Sequence, residues 1–209
     1  MLQQLRLLRR VQLRLRLLTT TDGRRPGAGR GGTMADRQGF AAAAELAEWG
    51  GWPALQELGE SADPFEVAAV GGVWRPKDRH FGVLLDGRVV AHSGLVVAPV
   101  EVGGRHFEVA GIGGVLVSPH WRGHGLARAV VAAALDAARA DGLELAMLFC
   151  LPDRAPLYAR LGWTALPGPV TAEQPEGPEP TRLGAMWTGL VPGALWPEGG
   201  AVRLHSLPF

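Results

Sequence analysis

The chain has 209 residues, 47 % hydrophobic and 20 % charged, enough for one well-packed domain and short for two. Its lone cysteine, Cys150, excludes an internal disulfide framework, and no Cys/His cluster has zinc-ligand spacing, so a reduced cytoplasmic protein with no metal is expected. The net charge of +1 conceals an asymmetry: residues 1–33 hold eight of the 21 basic residues and one of the 20 acidic ones, leaving the rest of the chain acidic at about −6.

Residues 1–10 form a basic tail whose arginines interrupt every apolar stretch, so a secretory h-region is lacking. A transit peptide or a polyanion-binding arm stays open for this leader, as does a start at Met34, although no nucleic-acid partner is expected. Val11, Leu13, Leu15 and Leu17 alternate with Gln12, Arg14 and Arg16, the period of a half-buried strand. The domain is therefore drawn over 11–209, with a flexible Gly- and Arg-rich loop at 19–33. No apolar run reaches the length of a membrane span, and no membrane partner is expected.

Phe40 to Trp49 is alanine-rich and predicts a helix, and Asp63-Pro64-Phe65-Glu66 starts a second short helix ending near Gly71. Phe81 to Leu85 and Arg88 to Val97 flank Asp86-Gly87, a hairpin signal. Gly103-Gly104 turns the chain into Arg105 to Val117, the third of three sequential antiparallel strands. Gly113 and Gly114 inside that strand predict a bulge.

A helix follows from Leu126 to Ala140, with Leu126, Val130, Ala133 and Ala137 toward the sheet and Gly142 as its stop. Leu143 to Cys150 reads as a strand buried on both faces. Pro156 to Leu161 forms a short helix closed by Gly162, and Trp163 to Ala165 begins another strand. Pro167 to Pro180 reads as a loop, Ala185 to Leu190 as the last strand, and the remainder as irregular.

The chemistry concentrates between Gly113 and Ala134. Val115-Leu116-Val117 leads into Ser118-Pro119-His120-Trp121 and then Arg122-Gly123-His124-Gly125-Leu126-Ala127 at the start of a helix. A helix N-terminus offers unpaired N–H groups and partial positive charge to a diphosphate. Gly123 and Gly125 let the backbone approach the anion, and Arg122 adds a permanent charge. Neither a Walker-type loop nor a dinucleotide fingerprint fits these glycines.

The spacing Arg-x-x-Gly-x-Ala after Val-x-Val resembles the coenzyme A site of the GNAT superfamily of N-acetyltransferases. A second motif agrees: Leu157-Tyr158-Ala159-Arg160-Leu161-Gly162-Trp163 resembles the family's aromatic short helix ending in glycine and an aromatic residue. The resemblance spans roughly Gly82 to Trp163 and implies a single α/β (α+β) domain. Its twisted sheet would be mixed, mostly antiparallel, flanked by helices and splayed where the pantetheine arm enters. It implies acetyl-coenzyme A as cosubstrate, held by Val115, Leu116, Val117, Arg122, Gly123, His124, Gly125, Leu126 and Ala127.

It further implies that the Tyr158 hydroxyl faces the coenzyme's sulfur as catalytic acid. A small-molecule amine would attack the thioester, with a tetrahedral oxyanion stabilised by backbone N–H groups near Leu116 and Val117. Relatives often carry a glutamate where this chain has Gly113, so the general base stays open among Glu108, His92 and water. A coenzyme-binding sensor and an acyltransferase for longer chains are the alternatives, and a homodimer is open. The sequence around His92, the long loop after the second motif and the ending Leu204 to Phe209 look most like the branch containing aminoglycoside 2′-N-acetyltransferases.

Overall fold

The computed structural model describes residues 44–49, 58, 70–85 and 87–209. The expected strand at 11–17, the loop at 19–33 and the start of the helix at Asp63 lie outside them. Three strands in chain order, β2 (Arg79–Leu85), β3 (Arg88–Val102) and β4 (Arg105–Val117), form the antiparallel meander that the turn signals predict. Leu85 pairs with Arg88 across a two-residue connection in which Gly87 takes φ 75°, a left-handed value that glycine meets without steric cost.

Helix α1 (Leu126–Ala140) has the expected bounds, but its buried stripe is Leu126, Val130, Val131, Ala134, Leu135 and Ala138. Ala133 and Ala137 flank that stripe, rotated from the expected face by one residue. The helix ends in a Schellman pattern: Leu143 N–H donates to Ala138 O and Gly142 N–H to Arg139 O, with Gly142 at φ 85°. Strand β5 (Leu145–Cys150) follows, buried along its whole length.

The sheet buries both faces. Leu95, Ile112, Ala146 and Leu148 pack beneath α1, whereas the alternate residues Val96, Met147 and Phe149 meet Val100, Val109, Leu204 and Phe209 on the other side. Opposite faces for successive residues follow from the strand period of two.

Beyond β5 come α2 (Ala155–Arg160), β6 (Thr164–Ala165), β7 (Val170–Ala172), β8 (Glu179–Pro180), β9 (Gly184–Gly189) and β10 (Val202–Leu204). The order β6-β9-β5-β4-β3-β10-β7-β8, with β2 also on β3, is the mixed, mostly antiparallel sheet that the resemblance implies.

Three expectations are corrected. Ala44–Trp49, within the segment read as helix, is strand β1, paired antiparallel with β2 from Ala44↔Leu85 to Trp49↔His80. Helix preference among ordinary residues spans less than about 0.7 kcal/mol each, and the available edge of β2 outweighs it. The segment read as a loop holds β7 and β8, and β10 follows the strand expected to be last. β7 and β10 pair in parallel, bury Val170, Ala172 and Leu204, and are too short for a period to show in sequence.

Candidate functional site

β4 carries the bulge that its glycines predict. The register steps from His92↔Leu116 to Gly94↔Gly113, so β4 has one residue more than β3 over this interval, and Gly114 lies at φ 61°. On its other edge β4 pairs in parallel with β5 only from Ala110↔Ala146 to Ile112↔Leu148. From Gly113 onward the two strands share no ladder, and the sheet opens.

A cavity of about 1050 Å³ fills this opening. Gly113 to Val117 of β4 line one wall, and Phe149, Cys150 and Leu151 line another. The turn from β4 into α1 closes one end. There a 3-10 turn, Pro119–Trp121, leads to Gly123 (φ 78°) and Gly125 (φ 75°), and Gly125 caps α1 with no side-chain hydrogen bond. Arg122 lines the cavity beside them, its Nε donating to Val117 O at 3.3 Å.

Of the nine residues expected to hold the coenzyme, eight line this cavity. The exception is His124, whose Nδ1 lies 2.9 Å from Arg122 O and whose ring packs edge-on to Trp121.

Tyr158 lines the same cavity from α2. Its position is set locally: Trp163 N–H donates to Tyr158 O, Gly162 N–H donates to Ala159 O, and Gly162 takes φ 89°. This is a Schellman turn, and its hydrophobic contact is the edge-to-face packing of Tyr158 on Trp163 at 6.2 Å between ring centres. Glycine followed by tryptophan therefore fixes the tyrosine's orientation. Burial pushes the phenol up to about 12, with Cys150 adding to the rise and Arg154 opposing it.

The family model described as acetyltransferase (GNAT) domain matches residues 61–166, which span the meander, the turn, α1, β5 and α2. The chain belongs to the GNAT acetyltransferase family. It is accordingly an acetyltransferase, and the parted strands lie within the matched residues. Among solved structures, the GNAT family N-acetyltransferase YhbS from Escherichia coli, in complex with CoA, is 25% identical at a TM-score of 0.50, covering 72% of this chain and 80% of that one. N-acetylglutamate synthase from Neisseria gonorrhoeae, complexed with coenzyme A and N-acetyl-glutamate, is 13% identical with a TM-score of 0.49, covering 70% of this chain and 35% of that one. A putative N-acetyltransferase from Lactobacillus plantarum is 19% identical with a TM-score of 0.46, covering 71% and 99%. No curated protein matches the chain.

The GNAT cavity contains residues that sequence reasoning missed. Lys77 and Phe209 line it beside Gly113. A Cβ at Gly113 would lie 2.5 Å from Lys77 Cε and 2.8 Å from the Phe209 carbonyl carbon, so glycine here makes room for both. Burial lowers the Lys77 ammonium to about 8, with Arg75 lowering it further and Asp78 opposing. Lys77 Nζ donates to Arg75 O at 2.9 Å. No local periodicity marks Lys77, which precedes β2 in irregular backbone.

Two base candidates from the sequence fare differently. Glu108 is exposed on β4 opposite Pro99 and does not line the cavity. His92 lines it and is fully buried, and burial lowers its imidazole to about 4, so it is neutral near pH 7. Its Nδ1 lies 2.7 Å from Gly114 O. Because a carbonyl only accepts, that nitrogen carries the proton. His92 Nε2 is then left to accept from His80 Nδ1, 3.0 Å away. Both ring nitrogens are engaged, and the ring braces the bulge. Cys150 lies at the cavity wall with its thiol raised, first by burial and then by Asp153, which keeps it protonated rather than nucleophilic.

Proposed function

We propose that this acetyltransferase moves an acetyl group from acetyl-coenzyme A to a primary amine of a small molecule, the amine attacking the thioester carbon directly. Acetyl-coenzyme A is the cosubstrate. The observation that carries the reading is that one cavity, opened where β4 leaves β5 after Ile112, contains both the Arg122–Ala127 turn and Tyr158. The diphosphate docks on the α1 N-terminus beside Arg122, and the pantetheine arm takes the place of the missing ladder along Gly113 to Val117. Backbone N–H groups on that edge stabilise the oxyanion without reorganisation.

Tyr158 returns a proton to the departing sulfur. A phenol near 12 is a weak donor toward a thiolate whose usual value is about 8.5. Burial raises the Cys150 thiol at the same cavity wall, and a coenzyme sulfur buried beside it would be raised in the same direction. Lys77 supplies the base that neither Glu108 nor His92 provides: its amine is close to half neutral near pH 8 and lies at Gly113. The proposal extends the domain over 11–209 and sets it in the cytoplasm, with an acceptor class that includes aminoglycosides.

The decisive experiment is thiol release from acetyl-coenzyme A across a panel of amines, aminoglycosides among them, with product masses. An acetylated amine is the expected product. Coenzyme binding without release across the whole panel would instead make this chain a coenzyme-binding sensor, and turnover only with longer thioesters would make it a different acyltransferase.

A further inference from the structure

Outside the catalytic cavity, three metal-ligating side chains converge on the opposite end of the β3-β4 meander. Glu101 of β3 stands directly across from His106 of β4, and β10 lies on the other side of Glu101, pairing it with Arg203. His205, two residues past Arg203, is held to β3 by its N–H, which donates to Pro99 O at 2.9 Å. None of the three lines the acetyl-transfer cavity.

We propose that Glu101, His106 and His205 form a binding site for a divalent transition metal ion of the zinc class. Glu101 Oε2 lies 3.1 Å from His205 Nε2 and 3.9 Å from His106 Nε2, and the three ligand atoms lie within 4.8 Å of one another. Zinc bonds of about 2.0–2.1 Å at tetrahedral angles set ligand atoms about 3.4 Å apart, a spacing that these two distances bracket. Small side-chain rotations close the set.

Two imidazoles and one carboxylate are borderline donors that favour zinc over calcium or magnesium. The histidine rings lie 5.6 Å apart with 30° between their planes, both turning Nε2 toward the same carboxylate. The backbone beneath is rigid, since Val100, Val102 and Leu204 are buried. The His106 side chain is 70% exposed, which leaves the fourth coordination position to water. Arg203, the cation nearest in register, is drawn off to Glu173 at 3.3 Å. A bound ion would tie the far end of the meander to β10.

The test is calorimetric titration of ZnCl2 into the chelator-stripped full chain in a non-coordinating buffer, with thermal unfolding in parallel. One equivalent should bind with micromolar or tighter affinity and raise Tm. His106→Ala and His205→Ala should each weaken binding at least tenfold and abolish the rise in Tm while folding normally by circular dichroism. A double variant of the loop histidines, His120→Ala with His124→Ala, should bind zinc as the parent does. Absence of binding, binding that survives both single variants, or loss in the loop double variant alone would overturn the proposal. Acetyl transfer does not enter the readout.

Discussion

Ile112 and Leu148 form the last rung between β4 and β5, and the cavity opens from this rung, lined by Ile112 itself and, one residue past Leu148, by Phe149. Both side chains are 1% exposed and belong to the core beneath α1. Truncating Leu148 to alanine should cost about 2–5 kcal/mol, the usual range for a buried leucine. Urea unfolding at fixed pH measures it, and a loss below about 1 kcal/mol would show that this rung does not anchor the opening.

Gly113 lies on the cavity side of that rung. Gly113→Ala forces its Cβ against the Phe209 backbone, which cannot swing away as the Lys77 stem can. The expected outcome is a stability loss of about 1–3 kcal/mol from overpacking. Differential scanning calorimetry reads it directly, and an unchanged Tm would mean that the approach of Phe209 is looser than described.

Tyr158→Phe removes the proposed proton donor and keeps the ring on Trp163. Turnover should fall roughly 100-fold, the lower end of general-acid contributions, while the KM for acetyl-coenzyme A stays within about twofold. Steady-state kinetics separates the two quantities, and equal turnover in the variant would remove Tyr158 from the chemistry.

As the proposed base, Lys77 gives a pH dependence of definite sign. Its ammonium is lowered to about 8, and only the neutral amine accepts a proton, so the rate should climb with pH up to about 8 and level off above. Lys77→Met should lower the rate and erase that rise, while Lys77→Arg should lower it without rescue because a guanidinium does not deprotonate. A profile in Lys77→Met parallel to that of the parent would reassign the base to another group.

Gly125 caps α1 at φ 75°, and a Cβ there would meet nothing within 4 Å. The cost of Gly125→Ala therefore comes from backbone strain of about 1–2 kcal/mol rather than from collision. Combined with Arg122→Ala, it should weaken coenzyme binding at least tenfold in a calorimetric titration. Unchanged affinity would move the diphosphate elsewhere.

The two Schellman turns explain why so much of the site was legible. Gly142 after α1 and Gly162 after α2 stop their helices through bonds spanning a few residues, and the bulge at Gly113-Gly114 is likewise local. The Arg122 to Ala127 turn needed only its own glycines and the helix after it. β1 was misread because its alanines express a weak preference that the β2 edge overrides. β7 and β10 escaped notice because each has three residues and its partner lies far along the chain.

Local order alone determined the meander, the Arg122–Ala127 turn and the tyrosine helix, since each is written in neighbouring residues whose backbone demands are met on the spot. Tertiary structure alone decided that Lys77 and Phe209 meet at Gly113, that His92 is engaged by His80 and the bulge, and that Glu101, His106 and His205 gather at one place. Apart from the pairs His80 with His92 and Glu101 with His106, which their hairpins bring together, those encounters depend on chain closure over tens of residues, and no periodicity or spacing along the sequence encodes which distant side chains such closure brings together.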